Sequence, residues 1–512
     1  MGANTMIDCD LLVVGGGING AGIARDAAGR GLKVVLCEKD DLGAHTSSAS
    51  SKLIHGGLRY LEYREFGLVR KALAEREVLL RSAPHIMRPL RFVMPHVPGQ
   101  RPAWLIRAGL FLYDRLAPRA FLPASSALDL AGHQAGAPLK PEFTRAFAYS
   151  DGWVDDARLV VLNVLDAHER GARVLTHAVC EDAVRRGAHW EARIVQGGAA
   201  LSVRARGLVN AAGPWAAGLA RRANRGARHR TLRLVKGSHI VVPRLFEHGS
   251  AYLFQHADGR VVFAIPYEEA FTLVGTTDVD FEGDPGAAAI GDGETRYLCE
   301  LANRYFQRQL TAHDVVWSYS GVRPLLEDAA GSAAAATRDY YLERDAEGAP
   351  LLSVYGGKIT TYRKLAEQAL DWLAPLLSQA PARAWTAHAV LPGGDLFGPT
   401  PDSRAVLEFD RWVMGLQRRH AWLPKPLALR YARAYGTRVE VLLDGRTSLA
   451  DLGAELAPGL YEAELRYLMR REWAASAADV LWRRTKLGLH LRPGAADRID
   501  AWMAAERRAM VA

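Results

Sequence analysis

The 512-residue sequence predicts an α/β protein in which a parallel sheet carries an inserted antiparallel β-sheet and precedes a C-terminal helical domain. Three observations lead to this prediction. A strand–helix–strand pattern opens the chain, and alternating apolar and polar residues recur over roughly 231–345. After the Pro/Gly-rich stretch 391–401 the composition shifts to Ala, Leu, Arg, Glu and Trp. A chain of this length exceeds one core, so we expect two or three domains.

The opening pattern has the full spacing of a dinucleotide-binding turn from Gly15 to Glu38. Gly15 allows the tight turn after the first strand, Gly17 lets the backbone approach a pyrophosphate, and Gly20 lets helix and strand pack closely. The helix N-terminus presents free N–H groups to the phosphates. Glu38, at the tip of the second strand, is placed to accept a ribose hydroxyl. The sequence therefore predicts an adenine-dinucleotide site.

Two later segments carry the same kind of signal. A strand ends in Asn-Ala-Ala-Gly within Leu208–Trp215, and Gly356-Gly357-Lys358 opens another helix. An NAD-linked dehydrogenase needs only the first turn, whereas three approaches to one extended cofactor are typical of flavoproteins of the glutathione-reductase and amino-acid-oxidase types. We therefore expect FAD, bound non-covalently in a Rossmann-like domain.

A hydroxyl-rich loop, Thr46–Arg59, follows the predicted ribose-binding residue. Its hydroxyl and backbone donors are expected to wrap the pyrophosphate and the flavin ribityl chain, with His55, Arg59 and Tyr60 projecting toward the substrate. The predicted cofactor-binding residues are Gly15, Gly16, Gly17, Ile18, Asn19, Gly20, Glu38, Lys39, Thr46, Ser47, Ser51, Lys52, Val179, Ala211, Ala212, Gly213, Trp215, Gly356, Gly357, Lys358, Ile359 and Thr360.

Cations in glycine-rich turns mark the predicted substrate end. Arg323 lies in Ser-Gly-Val-Arg-Pro, and Lys358 follows two glycines; an Arg fork recognises phosphate or carboxylate bidentately. His239 alternates with apolar neighbours and points either into the cavity or into the core. Asp278-Val-Asp-Phe-Glu-Gly resembles the start of an EF-hand, but position twelve is Ala289 instead of Glu, which excludes calcium.

The bulk composition limits the partners. Lys and Arg exceed Asp and Glu to give a net charge of +9, which favours an anionic partner. The four cysteines are scattered, with no Cys-x-x-Cys, so we expect neither a metal nor an iron–sulfur site, and a reducing cytoplasm. No apolar run approaches the length of a transmembrane helix, and no targeting peptide is expected at the N-terminus.

These motifs resemble one family over nearly the whole chain. The segments GGGINGAGIARDAAGRG, TSSASSKLIHGGLRYLE, SGVRPL and YGGKITTYRKLAE are similar to those of FAD-dependent glycerol-3-phosphate dehydrogenases. The resemblance implies oxidation of sn-glycerol 3-phosphate to dihydroxyacetone phosphate. It implies the aerobic type, which reduces a membrane quinone (ubiquinone or menaquinone), because the iron–sulfur cysteines of the anaerobic type are missing. We also expect a homodimer and no nucleic-acid partner.

On this resemblance the substrate end has assigned roles. Arg59 and Arg323 are expected to hold the phosphate, with Tyr60 and Lys358 as further substrate contacts. His55 is the first choice for the base that takes the C2 hydroxyl proton, and His239 the second, because imidazole titrates near working pH. Arg323 has an alternative role in stabilising the developing alkoxide.

The segment 101–122, RPAWLIRAGLFLYDRLAPRAFL, combines large apolar residues with four arginines. Pro102 suits a helix start and Pro118 its end. Composition alone fits a core helix with snorkelling arginines as well as a helix in the membrane interface. The family resemblance favours the membrane, so we predict a cytoplasmic protein attached peripherally to the cytoplasmic membrane.

Two alternatives remain open at this point. One is an FAD-dependent oxidase of a small hydroxy or amino compound that uses oxygen. The other is a flavin-containing RNA-modification or binding protein, which the positive charge and the Trp482–Lys486 segment suggest weakly. For the main chain we place the FAD-binding region at 1–390 and the helical domain at 391–512. The nucleotide-binding parts are expected at about 1–90, 150–230 and 350–375, and the substrate-side β-rich parts at about 91–149 and 231–349.

Overall fold

The computed structural model describes residues 6–97, 101–223, 231–255, 260–326, 339–377 and 383–511. Its strands are, in chain order, β1 Met6–Val14, β2 Val34–Cys37, β3 Leu53–Ile54, β4 Met87–His96, β5 Ser126–Asp129, β6 Arg145–Val154, β7 Arg173–Leu175, β8 Ala178–Arg186, β9 His189–Gln196, β10 Ala199–Asn210, β11 Leu232–Pro243, β12 Ala251–Gln255, β13 Val261–Tyr267, β14 Phe271–Gly275, β15 Val279–Asp280, β16 Trp317–Leu326, β17 Tyr341–Asp345, β18 Leu351–Tyr355, β19 Glu455–Ala457 and β20 Leu460–Tyr461. Its α-helices are α1 Ile18–Gly29, α2 Phe66–Ser82, α3 Ala103–Arg115, α4 Asp156–Glu169, α5 Ala216–Ala223, α6 Asp292–Tyr305, α7 Tyr362–Leu376, α8 Ser403–Leu407, α9 Phe409–Arg419, α10 Lys425–Tyr435, α11 Val439–Leu443, α12 Glu462–Arg471 and α13 Ala495–Val511.

The first sheet has a parallel centre in the order β18-β10-β1-β2-β7. Both faces of β1 are buried: Leu11 and Val13 pack into the core beneath α1, α4 and α7, whereas Leu12 packs into a second core on the opposite face. There β8 and β9 continue antiparallel from β10 and contribute the fully buried Trp190. A continuous apolar strand is what burial on both faces requires.

One strand prediction is wrong in its extent. The run Ala172–Val179 reads as a single strand, but the chain breaks into β7 and β8 at Thr176-His177, where His177 has a φ of 51°. There the His177 amide donates to Asp40 O at 2.9 Å and the Ala178 amide to Glu38 O at 2.8 Å. The break bends the chain around the tip of β2, so that Val179 faces the space beyond Glu38.

The second sheet follows the order β15-β11-β14-β13-β12-β4-β6-β3, with β16 beside β11 and β5 beside β6. It is antiparallel except where β4 meets β12. Alternation along β11 sends Ile240 and Val242 toward α6, and Val241 toward the core that also holds Leu110 and Tyr113 of α3. Helix α6 therefore packs on one face of the sheet, and helices α2 and α3 pack on the other.

The C-terminal domain is helical, with α8–α13 around one apolar core and a single small hairpin, β19-β20. Buried ion pairs join it to the rest of the chain: Arg484 donates to both carboxylate oxygens of Asp41, at 2.7 and 2.8 Å, and Arg158 pairs with Glu472. All four side chains are at most 1 % exposed.

Helix α3 begins directly after Pro102, as its sequence predicts, but it buries little of its apolar surface. Trp104 is 70 % and Phe111 58 % exposed, and Leu105 and Leu112 are exposed beside them. A core-packed helix would bury these side chains, so α3 presents an apolar face to its surroundings. Among the described residues, no helix combines the length and apolar character needed to cross a membrane.

Candidate active site

A cavity of about 1780 Å³ runs between the carboxyl ends of the parallel strands and the face of the antiparallel sheet. This is larger than the roughly 300–1,000 Å³ of a typical small-molecule pocket, so it has room for a long cofactor and a substrate together. The dinucleotide turn lines one part of it, and the hydroxyl-rich loop and strands of the second sheet line the rest. Ligands of open α/β sheets bind outside the carboxyl ends of the strands.

Close backbone contacts build the dinucleotide end. Gly15 has a φ of 113°, and a Cβ there would lie 2.4 Å from Ala211 O. A Cβ on Gly20 would lie 1.9 Å from Gly15 O. The Ala211 amide donates to Val14 O at 2.9 Å, which sets the Asn-Ala-Ala-Gly segment beside the turn. Only glycine fits at these two positions, for the reasons that the spacing predicts.

The Glu38 carboxylate braces the turn. Oε2 accepts from the Gly16 amide at 2.6 Å and Oε1 from the Asp40 amide at 2.9 Å. Burial raises the pKa of this carboxyl group, and the two backbone donors oppose that rise. Each carboxylate oxygen keeps a second acceptor site, so the residue remains able to bind a ribose hydroxyl.

Cross-links between distant segments gather the remaining loops around the cavity. Asn19 Nδ2 donates to Gly356 O at 3.1 Å, and Ser47 Oγ accepts from the Ile18 amide at 2.9 Å. Thr46 Oγ1 donates to Val322 O at 2.7 Å. The turn, the hydroxyl-rich loop and the Gly356 segment therefore meet at the N-terminus of α1.

Most of the predicted site residues line this one cavity, and three do not. Gly16 and Gly20 lie behind it and shape the turn. Lys52 is turned away: its Nζ donates to Asp156 Oδ1 at 2.8 Å and to Ser48 O at 3.1 Å, and the side chain is 2 % exposed. The prediction of a cofactor contact for Lys52 is therefore wrong, because a buried carboxylate takes its charge. The lining residues from the prediction are Gly15, Gly17, Ile18, Asn19, Glu38, Lys39, Thr46, Ser47, Ser51, His55, Arg59, Tyr60, Val179, Ala211, Ala212, Gly213, Trp215, His239, Arg323, Gly356, Gly357, Lys358, Ile359 and Thr360.

The predicted cations Arg323 and Lys358 both line the cavity, and each contacts a neighbouring side chain. Arg323 forms an ion pair with Asp278 and donates to Thr277 O at 3.3 Å. Gly237 makes room for it, since a Cβ there would lie 2.7 Å from an Arg323 guanidinium nitrogen. Lys358 Nζ lies 3.6 Å from the centre of the Tyr60 ring, a cation–π contact.

The two candidate histidines differ in their surroundings. His55 is half-buried on the loop, and its amide donates to Thr360 Oγ1 at 3.3 Å. His239 is 3 % exposed on β11, and its ring crosses Gly275, where a Cβ would lie 2.1 Å from His239 Cδ2. Burial, and then the charges of Lys52 and Arg323, lower the pKa of His239 to about 3. Its imidazole is therefore neutral at neutral pH.

Two residues of the site had no role in the sequence prediction. Asp278, considered only as part of a failed EF-hand pattern, lines the cavity and pairs with Arg323. Tyr319 stacks on His239, with ring centres 4.8 Å apart. Strand alternation was the only available signal, because Tyr319 lies opposite His239 in the β11–β16 pairing. A sequence without its strand register does not reveal such a pair.

Comparison with known proteins fits this geometry. Residues 10–363 match the model of FAD dependent oxidoreductases, and residues 384–508 match that of the C-terminal domain of alpha-glycerophosphate oxidase. A glycerol-3-phosphate dehydrogenase of Pseudomonas aeruginosa is 53 % identical over 97 % of this chain and 95 % of its own. The chain belongs to the family of FAD-dependent glycerol-3-phosphate dehydrogenases.

Other members show the breadth of this family. A D-erythritol 1-phosphate dehydrogenase of Brucella abortus is 49 % identical, over 94 % of this chain and 95 % of its own. The solved glycerol-3-phosphate dehydrogenase of Bacillus halodurans, complexed with FAD, aligns with a TM-score of 0.77 at 28 % identity, over 98 % of this chain and 90 % of its own. The predicted FAD-binding fold with its helical C-terminal domain is confirmed, and FAD is the cofactor.

Proposed function

We propose that this enzyme oxidises sn-glycerol 3-phosphate to dihydroxyacetone phosphate and passes the electrons to a membrane quinone. The observation that carries the proposal is the single cavity that joins the dinucleotide turn to His55, His239 and the cations Arg59, Arg323 and Lys358. A small anionic alcohol needs such a combination, since it requires cations for its phosphate and a base beside its hydroxyl.

The residues of the dinucleotide end fit FAD. The glycines leave a cradle that a Cβ would fill, α1 points its N-terminus at it, and Glu38 closes it at the ribose position. FAD, when bound, accepts the hydride that leaves C2 of the substrate. Lys39 stacks on Trp215, with its Nζ 3.8 Å from the ring centre, and both side chains line the same end.

The chain's own residues then bind the substrate and move a proton. Arg59 and Arg323 are the proposed phosphate ligands, and a substrate phosphate would compete with Asp278 for the Arg323 guanidinium. His55 is the proposed base for the C2 hydroxyl. His239, held neutral, is the second candidate for that role and a hydrogen-bonding partner for the substrate oxygens.

The electron acceptor is proposed to reach the site from the membrane. Arg101, two residues before the start of α3, forms a bidentate ion pair with Glu62, at 2.6 and 2.8 Å, and both residues line the cavity. The exposed apolar face of α3, with the exposed Arg107 and Arg115 beside it, has the composition of a helix lying in the membrane interface. An α3 docked on a bilayer would bring one end of the cavity to the lipid surface.

Anaerobic mixing tests the function directly. Adding glycerol 3-phosphate to the purified holoenzyme is expected to bleach the oxidised flavin band, and adding a short-chain ubiquinone to restore it. A flavin that stays oxidised would exclude this substrate. Rapid return of the band with oxygen, and none with quinone, would instead support the oxidase alternative.

A second substrate merits the same experiment because the Brucella relative, almost as similar as the Pseudomonas one, is named for D-erythritol 1-phosphate. The same residues would perform the same chemistry on a longer polyol phosphate. The ratio of kcat/KM for the two compounds decides between them. A preference of tenfold or more for the four-carbon substrate would reassign the enzyme within its family.

A further inference from the structure

Lys52, in the hydroxyl-rich loop, forms a buried ion pair with Asp156. Their side chains are 2 % and 0 % exposed. Asp156 is the first residue of α4, where the helix dipole favours a carboxylate. A buried pair of this kind contributes little to stability compared with apolar residues of the same volume, so its presence needs another explanation.

The pair fixes the residues on both sides of Ser51. Asp156 Oδ2 accepts from Ser50 Oγ at 2.8 Å and from the Ser50 amide at 3.2 Å, while Oδ1 accepts from Lys52 Nζ. The Lys52 amide in turn donates to Ser50 Oγ at 2.9 Å. Lys52 has a φ of 58°, a left-handed conformation that a lysine adopts only when its surroundings impose it. Ser51 is therefore held between two anchored neighbours.

Both groups that hold the His239 ring depend on this arrangement. Ser51 Oγ and His239 Nε2 are hydrogen-bonded at 2.9 Å. Tyr319 stacks on the imidazole, donates its hydroxyl to Ser50 O at 2.8 Å, and has Lys52 Nζ 4.9 Å from the centre of its ring. The Lys52–Asp156 pair therefore determines both the plane of the His239 ring, through Tyr319, and the position of its Nε2 atom, through Ser51.

We propose that Lys52 is a positioning residue that, paired with Asp156, fixes the orientation of the His239 ring through Ser51 and Tyr319. This inference rests on the proposed role of His239 at the substrate end. Under this proposal Lys52 does not make the cofactor contact that the sequence predicts. It acts instead from behind the residues that line the cavity. The charged groups acting on His239 are Lys52 and Arg323, and Tyr319 is the titratable group in contact with its ring.

Lys52→Met is the informative variant, and Lys52→Arg its charge-conserving partner. We expect Lys52→Met to slow single-turnover flavin reduction by about 10- to 100-fold, the scale of a misplacement of about 1 Å, with substrate Kd changed less than about twofold. Lys52→Arg should restore part of the rate. In a His239→Asn background Lys52→Met should cause no further loss, because both act on one group.

A histidine titration provides a readout without substrate. In holoenzyme carrying ring-labelled histidine, NMR should show the pKa of His239 raised by Lys52→Met, since one cation that lowers it is removed. The His239→Asn spectrum assigns the signal. An unmoved pKa together with a rate loss that adds to that of His239→Asn would overturn the proposal.

A variant on the same helix, α4, serves as the control for a general loss of stability. Arg158→Met breaks another buried pair, with Glu472, two residues further along α4 and outside the cavity lining. It is expected to lower the melting temperature without moving the His239 pKa. Equal effects of Arg158→Met and Lys52→Met on rate and pKa would reduce Lys52 to a structural residue. If the wild type did not reduce its flavin with any polyol phosphate, the proposed function would be wrong. The effect of Lys52→Met on the pKa of His239 would still be valid, because that measurement uses no substrate.

Discussion

The two ends of the cavity differ in the groups that form their surfaces: mainly backbone at one end and mainly side chains at the other. At the dinucleotide end, glycines and backbone groups of the Gly15–Glu38 turn and of the adjacent Asn-Ala-Ala-Gly segment form the surface, and Glu38 braces the turn through the Gly16 amide. At the substrate end, side chains converge from the loop, β11, β16 and the Gly356 segment. The first surface has no room for an added carbon at Gly15 or Gly20, whereas the second depends on which charge or ring each side chain carries. Substitutions at the two ends should therefore fail in different ways.

The most extensive effect is expected at the dinucleotide end, because a loss of FAD removes the cofactor and turnover together. In Gly20→Val the new side chain would enter the space of Gly15 O, 1.9 Å from the first added carbon. Overpacking costs about 1–3 kcal/mol, which corresponds to about a 10- to 100-fold loss in FAD affinity if the fold survives. Flavin-to-protein absorbance ratios measure it. Gly67→Ala, where an added Cβ meets nothing within 4 Å, is the matched control and should retain full flavin.

A substitution of the proposed base should leave FAD in place and remove turnover. His55→Ala is expected to lower the rate of flavin reduction about 10²- to 10⁴-fold, the usual contribution of a positioned base. His248→Ala, a half-buried histidine outside the cavity lining, should be silent. Near-normal reduction by His55→Ala, with a large loss in His239→Asn, would transfer the base role to His239.

The phosphate contact is expected to have a smaller effect that falls on kcat/KM. Arg323→Met removes a charged hydrogen-bond donor, a loss of about 1.5–3 kcal/mol or about 10- to 100-fold. Arg323→Lys should recover part of it. Arg233, on the same sheet, donates through two of its guanidinium nitrogens to the exposed Asp280, each at 2.7 Å, and provides the control. An equal loss in Arg233→Met would mean that the effect comes from the long-range electrostatics of the protein and not from a contact between Arg323 and the phosphate.

The smallest effect on flavin reduction is expected from α3. Trp104→Ser and Phe111→Ser should each weaken vesicle binding, because an exposed aromatic contributes about 1.5–3 kcal/mol when it leaves water. Flavin reduction by glycerol 3-phosphate in solution should stay unchanged. Leu407→Ser, a 67 % exposed leucine of the C-terminal domain, is the control for vesicle binding. Unchanged flotation with vesicles by the α3 variants would contradict the membrane assignment.

The same contrast explains what the sequence predicts well. The turn from Gly15 to Glu38 is local, so spacing alone identifies it. The apolar pattern likewise predicts helices from Phe66 to about Arg81 and from Asp155 to Arg170, and α2 and α4 begin and end within a residue of these bounds. Lys52 and Asp278 were misjudged because their partners, Asp156 and Arg323, lie 104 and 45 residues away. A side chain's task depends on long-range register, which composition and periodicity do not contain. The break at His177 was missed for the same reason, since Glu38 and Asp40 impose it.

The buried pair between Asp41 and Arg484 has a consequence for synthesis of the chain. The two residues are 443 positions apart, so at about 5–20 residues per second the carboxylate waits roughly 20–90 s on the ribosome for its partner. Arg158 waits in the same way for Glu472, 314 positions later. Until then the nascent N-terminal region carries charges that it cannot bury. The contacts that join the C-terminal domain to the rest of the chain are therefore completed only after residue 484 has been synthesised.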